Sequence, residues 1–488
     1  MLRSLSSQLS SAHETTLPPW LVQSYGVLLL FYVAGSLGFT TDFAHIGIEL
    51  GRLPLYIGEV CLAALAALTL IAFWQRRRLP FRWDPVTASL ALLLVMGGVF
   101  LVAGWLNGYT VSALRDAALV YYILFFFFTL FWIEMVSLER ALRLFWTVGL
   151  VAIVLGSGIN VLEYLVQYAQ NELVLRFGHF GHASLALSSW IAMLLLALRA
   201  IWKPNRQNWL LFAAFLPVFL VNEVIIAYRS ILLSIAAAVI LTVIMFVGRR
   251  EHWQFGLKIA AVLTALGVLL VALSVGWGRL DIKNHIAPAE EVTNTEATTE
   301  ATTESALEEQ ASRWERGLSD PTGQGGFSFR LEAWSEAWKI ILDHPVTGLG
   351  YGPSILLHSE GACVEQAGET SNCGNPHNTF LTLVLRMGVP TSLLYFGALV
   401  VAILTGLRHA WSVRLDNASG LYLVLLLLSL VSMLAYAFMS LFFESPFLSA
   451  PYWTVFGFLY ACTFPQAHAV TEQPQPQLAG LPEKQPTS

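Results

Sequence analysis

Charge is scarce in this 488-residue sequence. Asp, Glu, Lys and Arg together make 12% of it, about half the share of an ordinary soluble domain. The scarcity is regional: no charged residue falls between Ile231 and Val247, nor between Ile259 and Trp277. Such runs exclude a soluble globular fold. They are also too long and too uniformly apolar for the alternating strands of a membrane barrel, which leaves α-helices as the spanning element. Cysteine is nearly absent, with four residues, which excludes a disulfide-dense scaffold. No Gly-rich loop is followed by Gly-Lys-Ser/Thr, so no nucleotide-phosphate cradle is present. Ionisable groups are almost missing from the centres of the apolar runs, and no internal repeat is visible. The first absence argues against a proton-coupled transporter, the second against a glycolipid flippase or transporter.

Apolar residues, at 56%, come in blocks. Twelve blocks reach spanning length, centred near Leu29, Leu65, Leu94, Phe126, Ile153, Ile191, Phe215, Val239, Leu266, Leu394, Leu427 and Phe456. The last is the shortest, confined between Pro451 and Pro465. Pro217 and Pro390 predict kinks. The first 19 residues are polar and end in Pro18-Pro19, so the first block reads as a span rather than a cleaved signal.

Basic residues set the orientation. With the N-terminus in the cytoplasm, the short inner loops hold Arg76, Arg77, Arg78, Arg82, Arg140, Arg143, Arg199, Lys203, Arg206, Arg249, Arg250, Lys258, Arg408 and Arg414. The short outer loops hold Arg52, Arg115, Arg176 and Arg229. Fourteen against four puts both termini inside. The fold expected is all-α and polytopic, with a large outer loop between the ninth and tenth spans. Residues 1–19 form an inner tail, 20–277 spans one to nine, 278–378 the loop, 379–465 spans ten to twelve, and 466–488 a second inner tail.

The outer loop has three parts. Residues 290–309 carry seven Glu and no Lys or Arg, a composition that stays solvated and disordered. From Phe329 to Asp343, Leu331, Trp334, Trp338, Ile341 and Leu342 recur at helical spacing. That pattern gives an amphipathic helix, either lying in the membrane interface or packed on the ends of the bundle. A turn-rich stretch with Gly348, Gly350 and Gly352 follows; these glycines let the chain turn sharply or approach a ligand. Cys363 and Cys373, close together in a polar outer loop, are expected to form a disulfide. Cys61 and Cys462 lie in spans.

Polar groups gather at the outer boundary: Arg115, Arg176, His179, His182, Glu223, Arg229, Arg330, His377 and Glu444. Among them, His377 in Pro376-His377-Asn378-Thr379 opens the tenth span. It is placed either as a general base or as a mere anchor. Arg176, Arg229 and Arg330 are single anchors taken one by one; together they can clamp a pyrophosphate.

The ordered set Arg330-Leu-Glu-Ala-Trp334, Asp343-His-Pro345, Gly348-Leu-Gly350-Tyr-Gly352, Pro376-His377-Asn378, Leu381 and Gly388 resembles the O-antigen ligase and O-antigen polymerase superfamily. Tyr228-Arg229-Ser230 resembles that family's Ser-Arg element, with Tyr in place of the usual Ser. The resemblance is strongest over 222–404. It implies a glycosyltransferase of the bacterial inner membrane. Its donor is an undecaprenyl-pyrophosphate-linked glycan and its acceptor is lipid A–core or a growing glycan. It implies no metal, no cofactor and no nucleic-acid partner. By the resemblance His377 activates the acceptor hydroxyl, Arg229 and Arg176 hold the pyrophosphate with Arg330, and Asn378, His179, Tyr228 and Gly350 support them. The ligase is favoured over the polymerase and over a protein O-oligosaccharyltransferase. The rivals from other classes are a glycolipid transporter and a non-catalytic assembly subunit.

Overall fold

A computed structural model describes residues 17–44, 46–50, 53–77, 79–169, 183–226, 230–246, 249, 251–286, 327–353, 355, 376–412, 418–440, 442–443 and 445–464. Within them the chain is helical apart from one antiparallel hairpin, β1 (Gly47–Leu50) and β2 (Leu53–Tyr56), joined in the register Gly47↔Tyr56. The helices are α1 (Pro19–Gly38), α2 (Thr40–Ala44), α3 (Ile57–Arg76), α4 (Pro85–Leu106), α5 (Thr110–Asp116), α6 (Ala118–Tyr121), α7 (Leu124–Val136), α8 (Leu138–Ala169) and α9 (Ala183–Trp202). They continue with α10 (Arg206–Ile226), α11 (Ser230–Phe246), α12 (Trp253–Ile286), α13 (Phe327–Asp343), α14 (Thr379–Ser412), α15 (Ala418–Ala437) and α16 (Pro446–Thr463).

Among the described residues, nine helices are long and apolar enough to cross a membrane. The pair Thr110–Tyr121 and Leu124–Val136, bent by 44°, is long and apolar enough only when its two helices are taken together. The two remaining expected spans are α11, of 17 residues, and α16, of 18. Each of the twelve expected centres lies inside a helix.

The weakest block of the sequence turns out to be among the most enclosed. α16 begins at Pro446, runs through Pro451, and is buried over nearly all of its length against α7, α1 and α15. Its modest hydropathy comes from Tyr452, Thr454, Tyr460 and Thr463, and these side chains meet protein rather than lipid. Tyr452 Oη is 2.8 Å from Tyr395 Oη, and Tyr460 Oη donates to Asp84 Oδ2 at 2.6 Å. Asp84 also caps α4, accepting from the amides of Val86 and Thr87. The deepest part of the core is aromatic, with Trp132, Trp190 and Trp453 fully buried.

The 34 residues of α14 would make a straight helix about 50 Å long, against a hydrocarbon core of about 30 Å. They do not stay straight. Gly388 takes φ 73° and ψ 169°, a conformation open essentially to glycine alone, and splits the element into 379–387 and 389–412. The first piece folds back along the second, so that the Phe380 ring lies 6.0 Å from Phe396 and 6.5 Å from Tyr395. In an unbroken helix Phe380 and Phe396 would be about 24 Å apart.

The break frees backbone groups, and the turn after α13 pairs with them. Pro390 has no N–H to give to Arg386 O, which accepts instead from Gly350 N at 3.0 Å. Val389 N turns away from Leu385 O to Pro345 O at 2.9 Å, and Leu385 O accepts from Leu349 N at 2.7 Å. The two backbones touch here: a Cβ on Gly348 would lie 2.5 Å from Leu385 O, and one on Gly388 would run into Val346 O. Gly388→Ala should therefore cost about 2–4 kcal/mol, from strained backbone and from the clash. The measurement is the melting temperature of the purified protein in detergent; a variant that melts with the wild type would show that the break is not needed.

Candidate active site at one end of the bundle

The loop helix α13 docks through small residues. Ala333, Ala337 and Ile341 are buried against Leu385 of α14 and Ile355. The large apolar residues expected on its buried face divide differently. Trp334 is half-buried, whereas Leu331, Trp338 and Leu342 stay exposed. The helix thus has one apolar edge packed against protein and another facing outward. The reason is spacing: 333, 337 and 341 form the narrow row that permits close helix packing, and the bulky residues flank it.

That docking fixes the segment 376–379. Trp334 Nε1 donates to Pro376 O at 2.8 Å, and its ring meets Phe438 edge-on at 5.2 Å. Asn378, 2% exposed, caps the fold-back helix: its Oδ1 accepts from the amides of Phe380 and Leu381 at 3.0 and 3.1 Å. Thr379 Oγ1 donates to Ser440 O at 2.8 Å and accepts from Phe442 N at 2.7 Å, which ties the segment to the α15–α16 connection. Between Pro376 and Asn378 stands His377, half-buried, with φ 47°. A left-handed non-glycine residue persists only where its surroundings over-determine it, and here both neighbours are pinned. Arg330, one turn before Trp334 on α13, brings its Nη1 to 3.4 Å from Met439 Sδ. His377, Asn378 and Arg330 thus share one end of the bundle, built by α13, the fold-back helix, residues 438–440 and Phe442.

Gly350 belongs to the same end, in the turn below α13. An ion pair holds that turn. Arg386 Nη2 lies 3.1 Å from Asp116 Oδ2, and Arg386 Nη1 donates to Pro353 O at 2.6 Å and to Gly350 O at 3.4 Å. Asp116 Oδ2 also accepts from Gly352 N at 2.7 Å. Neither Asp116 nor Arg386 stands out among the sequence candidates, although a lone Arg in the apolar run Leu383-Val384-Leu385-Arg386-Met387 was a usable signal. Glu223, expected at the outer boundary, is 3% exposed near the end of α10, with Ser189 Oγ donating to its Oε1 at 2.5 Å. Asn160 and Asn222 join the same buried polar cluster at 2.8 Å. Arg176, His179, His182, Tyr228, Arg229, Cys363, Cys373 and Glu444 lie outside the described residues.

Chemically, this end carries an imidazole, on His377, and a guanidinium, on Arg330. Residues 212–396 match the family model described as O-antigen ligase. A search of curated proteins returned no match. The matched stretch runs from α10 past Pro390 and so contains Arg229, Arg330, Gly350, His377 and Asn378, but not Arg176 or His179. The apolar helices make this a multi-pass membrane protein, and over residues 212–396 it is similar to the O-antigen ligase family.

The Asp116–Arg386 pair is shielded, with side chains 17% and 10% exposed. Arg386→Met alone should cost about 3–5 kcal/mol by leaving Asp116 uncompensated. Combining Arg386→Met with Asp116→Asn should cost distinctly less, because no buried charge then lacks its partner. Thermal melts of the wild type, the single variant and the double variant test this. Equal losses in the single and double variants would mean that the pair does not hold the turn.

Proposed function

We propose that this chain, with an O-antigen ligase domain at residues 212–396, moves a glycan from undecaprenyl pyrophosphate to lipid A–core at the periplasmic face of a bacterial inner membrane. The observation that carries the reading is His377. It is held in a left-handed conformation between two pinned neighbours, inside the matched domain, at the end of the bundle that also carries Arg330. The excess of Arg and Lys in the opposite loops supports an outward-facing site with both termini in the cytoplasm.

The donor's anomeric carbon already bears a good leaving group. The protein must therefore take a proton from the attacking hydroxyl and stabilise the charge that grows on the departing pyrophosphate. In the proposed step His377 accepts the hydroxyl proton as the acceptor oxygen bonds to the anomeric carbon. The bond from that carbon to the pyrophosphate oxygen breaks, and its electron pair leaves with the pyrophosphate. Arg330 faces that charge, and Arg229 and Arg176 complete the clamp, each guanidinium pairing bidentately with phosphate oxygens. Asn378 and the Gly350 turn position His377 through the backbone; His179 and Tyr228 support the arginines. No cofactor or metal enters this step. A single displacement inverts the anomeric centre. A Cys363–Cys373 disulfide closes the loop in the oxidising periplasm.

The test uses purified protein in liposomes with a labelled undecaprenyl-pyrophosphate oligosaccharide and lipid A–core. Label should pass to lipid A–core with inverted anomeric configuration, and His377→Ala should slow transfer about 10²–10⁴-fold while the protein still binds donor. Retained configuration rules out the single displacement. Normal turnover by the variant returns His377 to an anchoring role. A ladder of label growing on the undecaprenyl carrier identifies a polymerase instead.

A further inference from the structure

A carboxylate buried in a membrane protein needs a positive charge or a proton beside it. Two other shielded acids have a cation: Asp116 meets Arg386, and Glu134 meets Arg76 at 3.1 Å. Among the described residues no ion pair reaches Glu223. It lies one turn before the end of α10 and is 3% exposed. Ser189 Oγ donates to its Oε1 at 2.5 Å, while its Oε2 is buried with no hydrogen-bond partner.

The neighbours of Glu223 are neutral and rich in oxygen. Ser189 Oγ also donates to Ala186 O at 2.9 Å, so its single proton is divided between two acceptors. Asn222 Nδ2 donates to Ser189 Oγ at 3.4 Å, and Asn222 Oδ1 accepts from Asn160 Nδ2 at 2.8 Å. Asn222 and Ser189 are fully buried, and Asn160 nearly so. The cluster thus joins α8, α9 and α10 through a carboxylate, two amides, a hydroxyl and a backbone carbonyl. A proton does not complete it. Placed on Oε1, the proton meets Ser189 and leaves Oε2 bare; placed on Oε2, it is a donor with no acceptor. A cation does complete it, because it takes electron pairs from several oxygens at once, Oε2 among them.

We propose that Glu223, Asn222, Asn160 and Ser189 hold a sodium ion between α8, α9 and α10. Charge selects a monovalent ion: one carboxylate neutralises it, whereas a divalent cation would leave a net charge buried. Spacing selects sodium over the larger potassium, since these side chains already stand 2.5–3.4 Å from one another. Trp190, next to Ser189, donates to Ser432 Oγ at 3.1 Å, close to the end of α15. The connection that follows α15 carries Ser440, whose carbonyl accepts from Thr379. The ion therefore lies in the half of the bundle that carries His377. It ties the end of α10 to two neighbouring helices and takes no part in the transfer step, so the site stands independently of the glycosyltransferase reading.

The test is the melting temperature of the full-length purified protein in detergent, in sodium, potassium and N-methylglucamine chlorides at equal ionic strength. Relative to N-methylglucamine, sodium should raise it by several degrees in a saturable way, and potassium by less. Glu223→Gln keeps the size of the side chain and removes its charge, so its melting temperature should be the same in all three salts. If that variant is not recovered folded, Ser189→Ala removes one oxygen donor and keeps the carboxylate. It should raise the half-saturating sodium concentration several-fold; an unchanged value counts against the site. A wild type that melts alike in all three salts overturns the proposal. So does a sodium effect that survives Glu223→Gln undiminished, which would put the ion elsewhere. A melting temperature blind to the cation but falling as pH is raised overturns it in favour of a proton on Glu223.

Discussion

Two carbonyl oxygens, those of Leu385 and Arg386, lose their helical partners where Gly388 and Pro390 interrupt α14. Within or beside a bilayer, a backbone group left unpaired costs several kcal/mol, so such a break survives only where other protein groups answer it. Leu349 and Gly350 answer it here, and their amides are available because the turn at 344–353 is laid directly on the broken helix. The rest of this end of the bundle follows. The turn carries α13 to its place, α13 offers Trp334 to Pro376, and the fold-back returns Asn378 to the level of Tyr395. Arg386 and Asp116 fasten the same turn to the α5 segment from the other side.

The site inherits its character from that arrangement. His377 is not part of a loose loop end. It is the middle link in a short chain whose flanking residues are bonded to three different elements. A backbone held this way gives up little conformational freedom on meeting a substrate. A His in the left-handed region also needs such neighbours to stay there.

Much of this was legible in the sequence. The twelve apolar centres all fall within helices, because runs such as 231–247 leave no alternative in lipid. The motif residues that gather at one end were found in order, from Arg330 to Gly388. What escaped was tertiary. Pro390 announced a kink, but only the backbone angles of Gly388 convert that kink into a fold-back, and no periodicity reports them. α13 was read from its bulky residues, whereas close packing selected Ala333 and Ala337, which carry almost no pattern signal. The span around Phe456 looked weak because hydropathy treats Tyr452 and Thr454 as costs, and in a helix enclosed by protein they are bonded to neighbours. Asp116 and Arg386 are 270 residues apart in the chain, a pairing that a single sequence does not display.

The mutual pairing of turn and broken helix also bears on the order of assembly. The donors, Leu349 and Gly350, leave the ribosome before the acceptors, Leu385 and Arg386, and among the described residues no neighbouring span supplies substitutes. A newly inserted 379–412 segment that has not met the turn has no helical donor for Arg386 O, because Pro390 carries no N–H. Docking of the extramembrane loop and burial of this hairpin are therefore one cooperative event. A chain that fails to make it is left with an unburied hairpin, the kind of defect membrane quality control detects, rather than a finished bundle lacking only its active site.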